Sequence, residues 1–210
     1  MMVLSEMNRS TFVLTLAALL AGCSGSKPAS AQKAPANETA PATYRVNFDT
    51  SRGGFVVEIN REQAPNGADR LYNLVKSKFF DGARFYRVVP GFMVQWGAPA
   101  DPAMAKAWDV TIPDDPVKES NTKGTISFAA TSQPNSRSTH MFINYGDNAR
   151  LDGMGFAPVG KVVSGMEVVE QIYSGDGERP DQMRMKEEGN KYLEKEFPNL
   201  DYIKTARIAQ

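Results

Sequence analysis

The chain has 210 residues, 41% of them hydrophobic and 10% aromatic, enough for one domain with its own core once an N-terminal leader and spacer are set aside. Lys plus Arg number 24 and Asp plus Glu number 24, and the leader removes one of each, Arg9 and Glu6, so no net field favours nucleic acid or acidic lipid. A single Cys and a single His exclude an internal disulfide framework and argue against any metal site, and without a G-x-S-x-G turn a Ser/His/Asp hydrolase has no support.

Residues 11–21, TFVLTLAALLA, form an apolar run too short to span a bilayer but of the length of a signal-peptide core. Residues 1–22 therefore read as an export leader, with Arg9 as its positive end and Met7 as an alternative start. The run closes in Leu20-Ala21-Gly22-Cys23, which resembles the lipobox of bacterial lipoproteins, where the thiol is acylated and the chain is cut before the Cys. That resemblance implies a lipid anchor on Cys23 in a bacterial cell envelope; Ser24 behind it favours the outer membrane where there is one. Residues 24–42, rich in Ser, Ala and Pro, have almost nothing to bury and predict an extended spacer. Each buried acyl methylene contributes about 0.8 kcal/mol, so several chains hold a domain at a membrane without a transmembrane helix.

In the domain at residues 43–210, Tyr44, Val46 and Phe48 alternate with polar neighbours, and a second apolar run at 55–59 follows Ser51-Arg52-Gly53-Gly54, predicting a β-hairpin. Ala68, Leu71, Val75 and Phe79 fall at helical spacing before Asp81-Gly82. Short β-like runs follow at 85–89, 92–96, 125–130 and 141–144, parted by Gly, Pro and Asn, a pattern that suits a mainly β barrel or sandwich. Met166, Val169, Ile172 and Tyr173 predict a second helix. The charged stretch 174–200 reads as an insert of solvated helix and loop, and Ile203, Ala206 and Ile208 predict a closing strand.

Phe85-Tyr86-Arg87-Val88-Val89-Pro90-Gly91-Phe92-Met93-Val94-Gln95 resembles the signature of the cyclophilins, F-x-R-x-x-P-G-F-M-x-Q. The likeness continues through 124–129, Ser138-Thr139-His140-Met141-Phe142-Ile143-Asn144, Leu151-Asp152-Gly153 and Gly160-Lys161-Val162. It implies a closed antiparallel eight-stranded β-barrel capped by two α-helices, a monomeric domain, and peptidyl-prolyl cis/trans isomerisation without a cofactor, on proline-containing polypeptides.

By the same resemblance Arg87 is the catalytic guanidinium, Phe92, Met93, Phe142 and Leu151 are the walls of a proline pocket, and Gln95 braces the arginine. Ala129 matches a groove residue, with Ala130 beside it. From pattern alone the apolar members read as ordinary core, and Arg87 as a solvated strand residue. Three positions depart from the family. His140 stands where Gln is usual, so it reads either as a donor sensitive to pH near the usual His value of about 6.5 or as a satisfied strand residue. Arg150 replaces the Trp of several cyclophilins, which implies weak cyclosporin binding. Phe156 stands near the place of a common groove His. The rival expectation is a proline-peptide-binding chaperone or scaffold module with little catalysis.

Overall fold

The computed structural model describes residues 37–209, so the leader, the Cys23 anchor point and most of the spacer lie outside the described residues. The alternation at the start of the domain becomes β1, Thr43–Thr50, with Tyr44, Val46, Phe48 and Thr50 inward. It pairs along its whole length with β2, Gly53–Asn60, across a two-residue turn at Ser51 and Arg52. Phe48 and Phe55 stack at 4.7 Å on their shared inner face, and Trp96 meets Phe48 edge-on at 5.9 Å.

Helix α1, Pro65–Lys76, begins on a proline, whose missing N–H costs nothing at that position. It buries Ala68, Leu71, Leu74 and Val75. Phe79, read as part of this helix, lies past its end but is still buried in the core. The last residues of the presumed spacer are docked rather than free. The Glu38 and Ala40 N–H groups donate to Asn73 Oδ1 and Asp69 Oδ1 at 3.0 and 2.8 Å, and Ala40 is buried.

The remaining strands are β3 Arg87–Val89, β4 Met93–Trp96, β5 Thr125–Phe128, β6 Met141–Asn144, β7 Pro158–Ser164 and β8 Ile203–Ile208. They join one antiparallel sheet in the order β3-β4-β6-β5-β7-β2-β1-β8. Of the expected closed barrel, the structure bears out a curled eight-stranded sheet in which β3 and β8 form no ladder with each other. The seam holds one isolated bridge, Arg84 with Tyr202, flanked by Phe85 N–H donating to Asp201 O at 2.9 Å. The outward N–H of Val88 on β3 donates instead to Gly177 O, so the 174–200 stretch occupies the edge a closing strand would need.

Two capping helices were expected; five α-helices are found among the described residues. Besides α1 these are α2 Pro102–Ala107, α3 Met166–Glu170, α4 Gln182–Glu188 and α5 Asn190–Glu196, with a 3₁₀ helix at Ala149–Met154. The 174–200 insert is not merely solvated. Met185, Tyr192, Leu193, Phe197 and Leu200 bury their side chains against Tyr86 and Ala98 as a second small core beside the groove strands.

Candidate active site

Strand register assembles the site. Arg87 on β3 lies opposite Gln95 on β4, Gln95 opposite Phe142 on β6, and Phe142 opposite Ser127 on β5. Residues directly opposite one another point to the same face, so the guanidinium, the amide and the phenyl ring stand in one row across the sheet. Phe142 also joins Met93 and Leu151 in a separate apolar cluster, with Val89, Phe92, Ala129 and Phe156 packed on it.

Each wall is held by backbone chemistry. The Phe92 carbonyl accepts from Tyr145 N–H at 2.9 Å and from Asn148 Nδ2 at 2.8 Å. Leu151 rides on the 3₁₀ helix, which Asp152 pins by accepting from Ser120 Oγ at 2.5 Å and Asn121 N–H at 2.9 Å. Partial burial pushes the Asp152 carboxyl up, but these hydrogen bonds outweigh it and hold the group below the usual carboxylate range. Phe156 meets Phe142 edge-on at 5.8 Å.

Arg87 is about one-third exposed, neither immersed in water nor lost in the core. Its Nη1 donates to Gln95 Oε1 at 3.1 Å and its Nε to Glu178 Oε1 at 2.6 Å; its face lies 5.9 Å from the Phe92 ring. Arg150 covers the same ring at 4.7 Å. One cavity of about 280 Å³ brings together all ten groove residues singled out from sequence: Arg87, Phe92, Met93, Gln95, Ala129, Ala130, His140, Phe142, Leu151 and Phe156.

His140 does not behave as a switch near pH 6.5. Burial, reinforced by the charge of Lys186, pushes its imidazole down to about 4, so it is neutral at physiological pH. Its Nδ1 lies 2.8 Å from the Tyr86 hydroxyl. Pattern reading did not single out Glu178 or Gln182, which the insert brings to the guanidinium and the cavity, nor Ser136 and Ser138 on the rim. No local spacing announces Glu178 and Gln182, which meet the groove only through tertiary packing, whereas Ser136 and Ser138 stand just ahead of His140 in the chain. Among the described residues no group of three or more His, Cys, Asp or Glu side chains is arranged to hold a metal ion, and no helix is long and apolar enough to cross a membrane.

Comparison with known proteins agrees with this architecture. The family model described as cyclophilin type peptidyl-prolyl cis-trans isomerase/CLD matches residues 45–190, and one for a prokaryotic membrane lipoprotein lipid attachment site matches residues 7–24. The peptidyl-prolyl cis-trans isomerase A of Dickeya dadantii is 38% identical over 143 residues, covering 63% of this chain and 73% of the relative. Isomerase B of Escherichia coli is 31% identical over 140 residues, covering 60% and 82%. The crystal structure of a Cryptosporidium parvum cyclophilin covers 80% of this chain and 98% of its own, with a TM-score of 0.59 at 20% identity, a likeness of fold alone. The chain belongs to the cyclophilin-type peptidyl-prolyl cis-trans isomerase family.

Proposed function

We propose that this protein is a lipid-anchored peptidyl-prolyl isomerase that acts on exposed X-Pro bonds of exported chains, with Arg87 as its electrostatic catalyst. The observation that carries this reading is the guanidinium at the mouth of an apolar cavity, braced by Gln95 beside Phe92, Met93, Phe142 and Leu151. Rotation about an X-Pro bond must break amide conjugation against a barrier of about 18–20 kcal/mol, so exchange without a catalyst takes roughly tens to hundreds of seconds. No nucleophile is needed. An apolar pocket can hold the proline ring while the amide twists, and a fixed cationic donor favours the twisted form over the planar one. Lowering the barrier by about 7 kcal/mol gives roughly a 10⁵-fold acceleration.

Exchange of a proline peptide, followed by NMR, tests the assignment. Arg87→Ala is expected to lower the catalysed rate about 10²–10³-fold, the usual loss when a preorganised donor is removed, with a smaller loss of peptide binding. Exchange unaffected by wild type and variant alike overturns it. A second reading, a holder of proline segments with little catalysis, draws on the Glu178 carboxylate that partly neutralises Arg87. It predicts peptide binding that survives Arg87→Ala with negligible exchange in both forms.

The anchor belongs to the same proposal. The lipoprotein match at residues 7–24 supports acylation of Cys23 and a domain that faces an aqueous compartment of the envelope. Mass spectrometry of the mature N-terminus is expected to find acylated Cys23 as its first residue; an unmodified Cys23 still joined to the leader would refute the tether.

A further inference from the structure

His140 replaces an amide donor with a ring that has two possible tautomers, and only one of them offers a proton to the cavity. Its backbone is fixed on both sides. The His140 carbonyl accepts from Ala129 N–H at 2.9 Å, and Gly97, at φ +120°, passes so near that a Cβ there would sit 2.5 Å from the His140 Cα. On the ring, Nδ1 lies 2.8 Å from the Tyr86 hydroxyl, and the two rings meet edge-on at 5.7 Å. The other nitrogen, Nε2, has no protein hydrogen-bond partner among the described residues and is not sealed from solvent; the ring borders the cavity.

Tyr86 decides the tautomer. It is 1% exposed, with its ring in the small core formed by the insert, and burial raises its hydroxyl well above the usual tyrosine range, so the phenol keeps its proton. The Gln95 side chain also reaches this hydroxyl, but its Oε1 accepts from Arg87, so its amide nitrogen is the group left to face the phenol, and that group donates. A buried O–H left without an acceptor is costly, and Nδ1 is the acceptor that remains for it. Were Nδ1 protonated, it would donate to the phenol oxygen, the phenolic proton would be stranded, and Nε2 would face the cavity as a bare lone pair. The opposite arrangement satisfies every group: Tyr86 donates to Nδ1, and the imidazole proton sits on Nε2.

The charges around the ring agree with a neutral imidazole. Lys186 of α4 lies on one side and is itself paired with Asp109 at 2.8 Å. On the other side Arg87 of β3 is engaged by Gln95 and Glu178. Thr131, Ser138 and Gln182, which border the same cavity, carry no charge. No carboxylate among the described residues bonds the imidazole.

We propose that Tyr86 is a positioning residue that locks His140 in the neutral Nε2–H tautomer, so that the imidazole serves as a permanent hydrogen-bond donor to the backbone of the peptide in the cavity. The inference rests on the reading of that cavity as a proline-peptide groove. It extends the reading to a residue that touches no substrate and acts only through His140.

His140 is the only histidine of the chain, so its two ring nitrogens can be read without assignment in protein purified untagged. The experiment uses the intact chain in detergent micelles with ¹⁵N-labelled histidine, between pH 5 and 8. Wild type is expected to show Nε2 protonated and Nδ1 bare throughout. In Tyr86→Phe the tautomers are expected to mix, because Nδ1 loses the hydroxyl that selects it as acceptor, while burial and Lys186 still keep the ring neutral. In the same variant KM for a proline peptide is expected to rise several-fold, since part of the population presents a bare Nε2 to the cavity. Adding His140→Gln to Tyr86→Phe, which supplies a donor with no tautomer to choose, is expected to restore it. An Nδ1–H tautomer in wild type, or a tautomer unchanged by Tyr86→Phe, overturns the proposal. The wild-type spectrum decides it even if the variant fails to fold. Absence of exchange in wild type with the Nε2–H tautomer present refutes the isomerase reading instead, so the two failures are distinguishable.

Discussion

Asp115 has no place in the groove, yet it organises the helix that backs the sheet. The residue ahead of α1 is Ala64, which offers no side-chain cap. Asp115 supplies one from elsewhere in the chain, accepting from the N–H groups of Asn66 and Gly67 at 3.0 and 2.9 Å. The same carboxylate receives Arg137 Nη1 at 3.0 Å, and that arginine is almost fully buried, with Pro113 O and Asp114 as further partners. Removing one member of such a pair strands the other charge, which costs more than the pair contributes while intact. Asp115→Ala is therefore expected to lower stability by about 3–5 kcal/mol, from the stranded guanidinium and two uncapped N–H groups together. Urea denaturation checks it, and a loss under about 1 kcal/mol would mean that Arg137 finds another partner. The Arg87–Glu178 pair is the contrast, because Glu178 is 58% exposed and solvent screens it. Its interest lies in where it holds the guanidinium, since exposed pairs of this kind contribute little to folding.

At the scale of elements, legibility followed periodicity. The strict alternation of β1 and the apolar stripe of α1 were plain in the sequence because each element buries one face. Strands β4, β5 and β6 are four residues long and buried throughout, so they have no period to read. They were legible only as short apolar runs parted by Gly, Pro and Asn, and the cyclophilin resemblance carried by Arg87, Phe92, Met93 and Gln95 gave the region its role. β7 was invisible as a strand for a related reason: its pattern does not alternate, and Gly160 within it looks like a loop signal. That glycine is required by β2, since a Cβ there would come within 2.1 Å of Glu58 O. Helices α2, α4 and α5 are six or seven residues long, too short to build a periodic signal. In the insert the buried Met185, Tyr192, Leu193 and Phe197 are scattered among charges, so average polarity concealed a core. The groove's composition could be read only through the cyclophilin resemblance, since pattern alone gave ordinary core and a solvated arginine. The insert's hold on Arg87 through Glu178 could not be read at all, since 91 positions separate the two.

For the whole molecule, the half-buried neutral imidazole and the hydrogen-bonded carboxylates respond to acid in separate pH ranges. His140 is pushed down to about 4 by burial and Lys186, against about 6.5 when unfolded. Between these values the unfolded chain binds a proton that the folded chain refuses, so stability falls as pH drops from about 6.5 to about 4, and His140 contributes no further change below that. The carboxylates act lower. Partial burial raises Asp69 and Asp201, but hydrogen bonds from Arg61 and the Ala40 N–H, and from Arg52, Ser51 and the Tyr173 N–H, outweigh it and hold both below their ordinary value. The stability they add is present above about pH 4 and is lost as pH falls through their lowered range. Wild type is therefore expected to lose stability in two stages on acidification. His140→Gln is expected to retain only the lower stage, with an unfolding equilibrium constant that rises about twentyfold less than wild type's between pH 7 and pH 5. Urea denaturation of both proteins at pH 7, 5 and 3 measures this. Parallel profiles above pH 4 would mean that the imidazole takes up its proton in the folded chain as readily as in the unfolded one, so that burial and Lys186 do not hold the ring neutral.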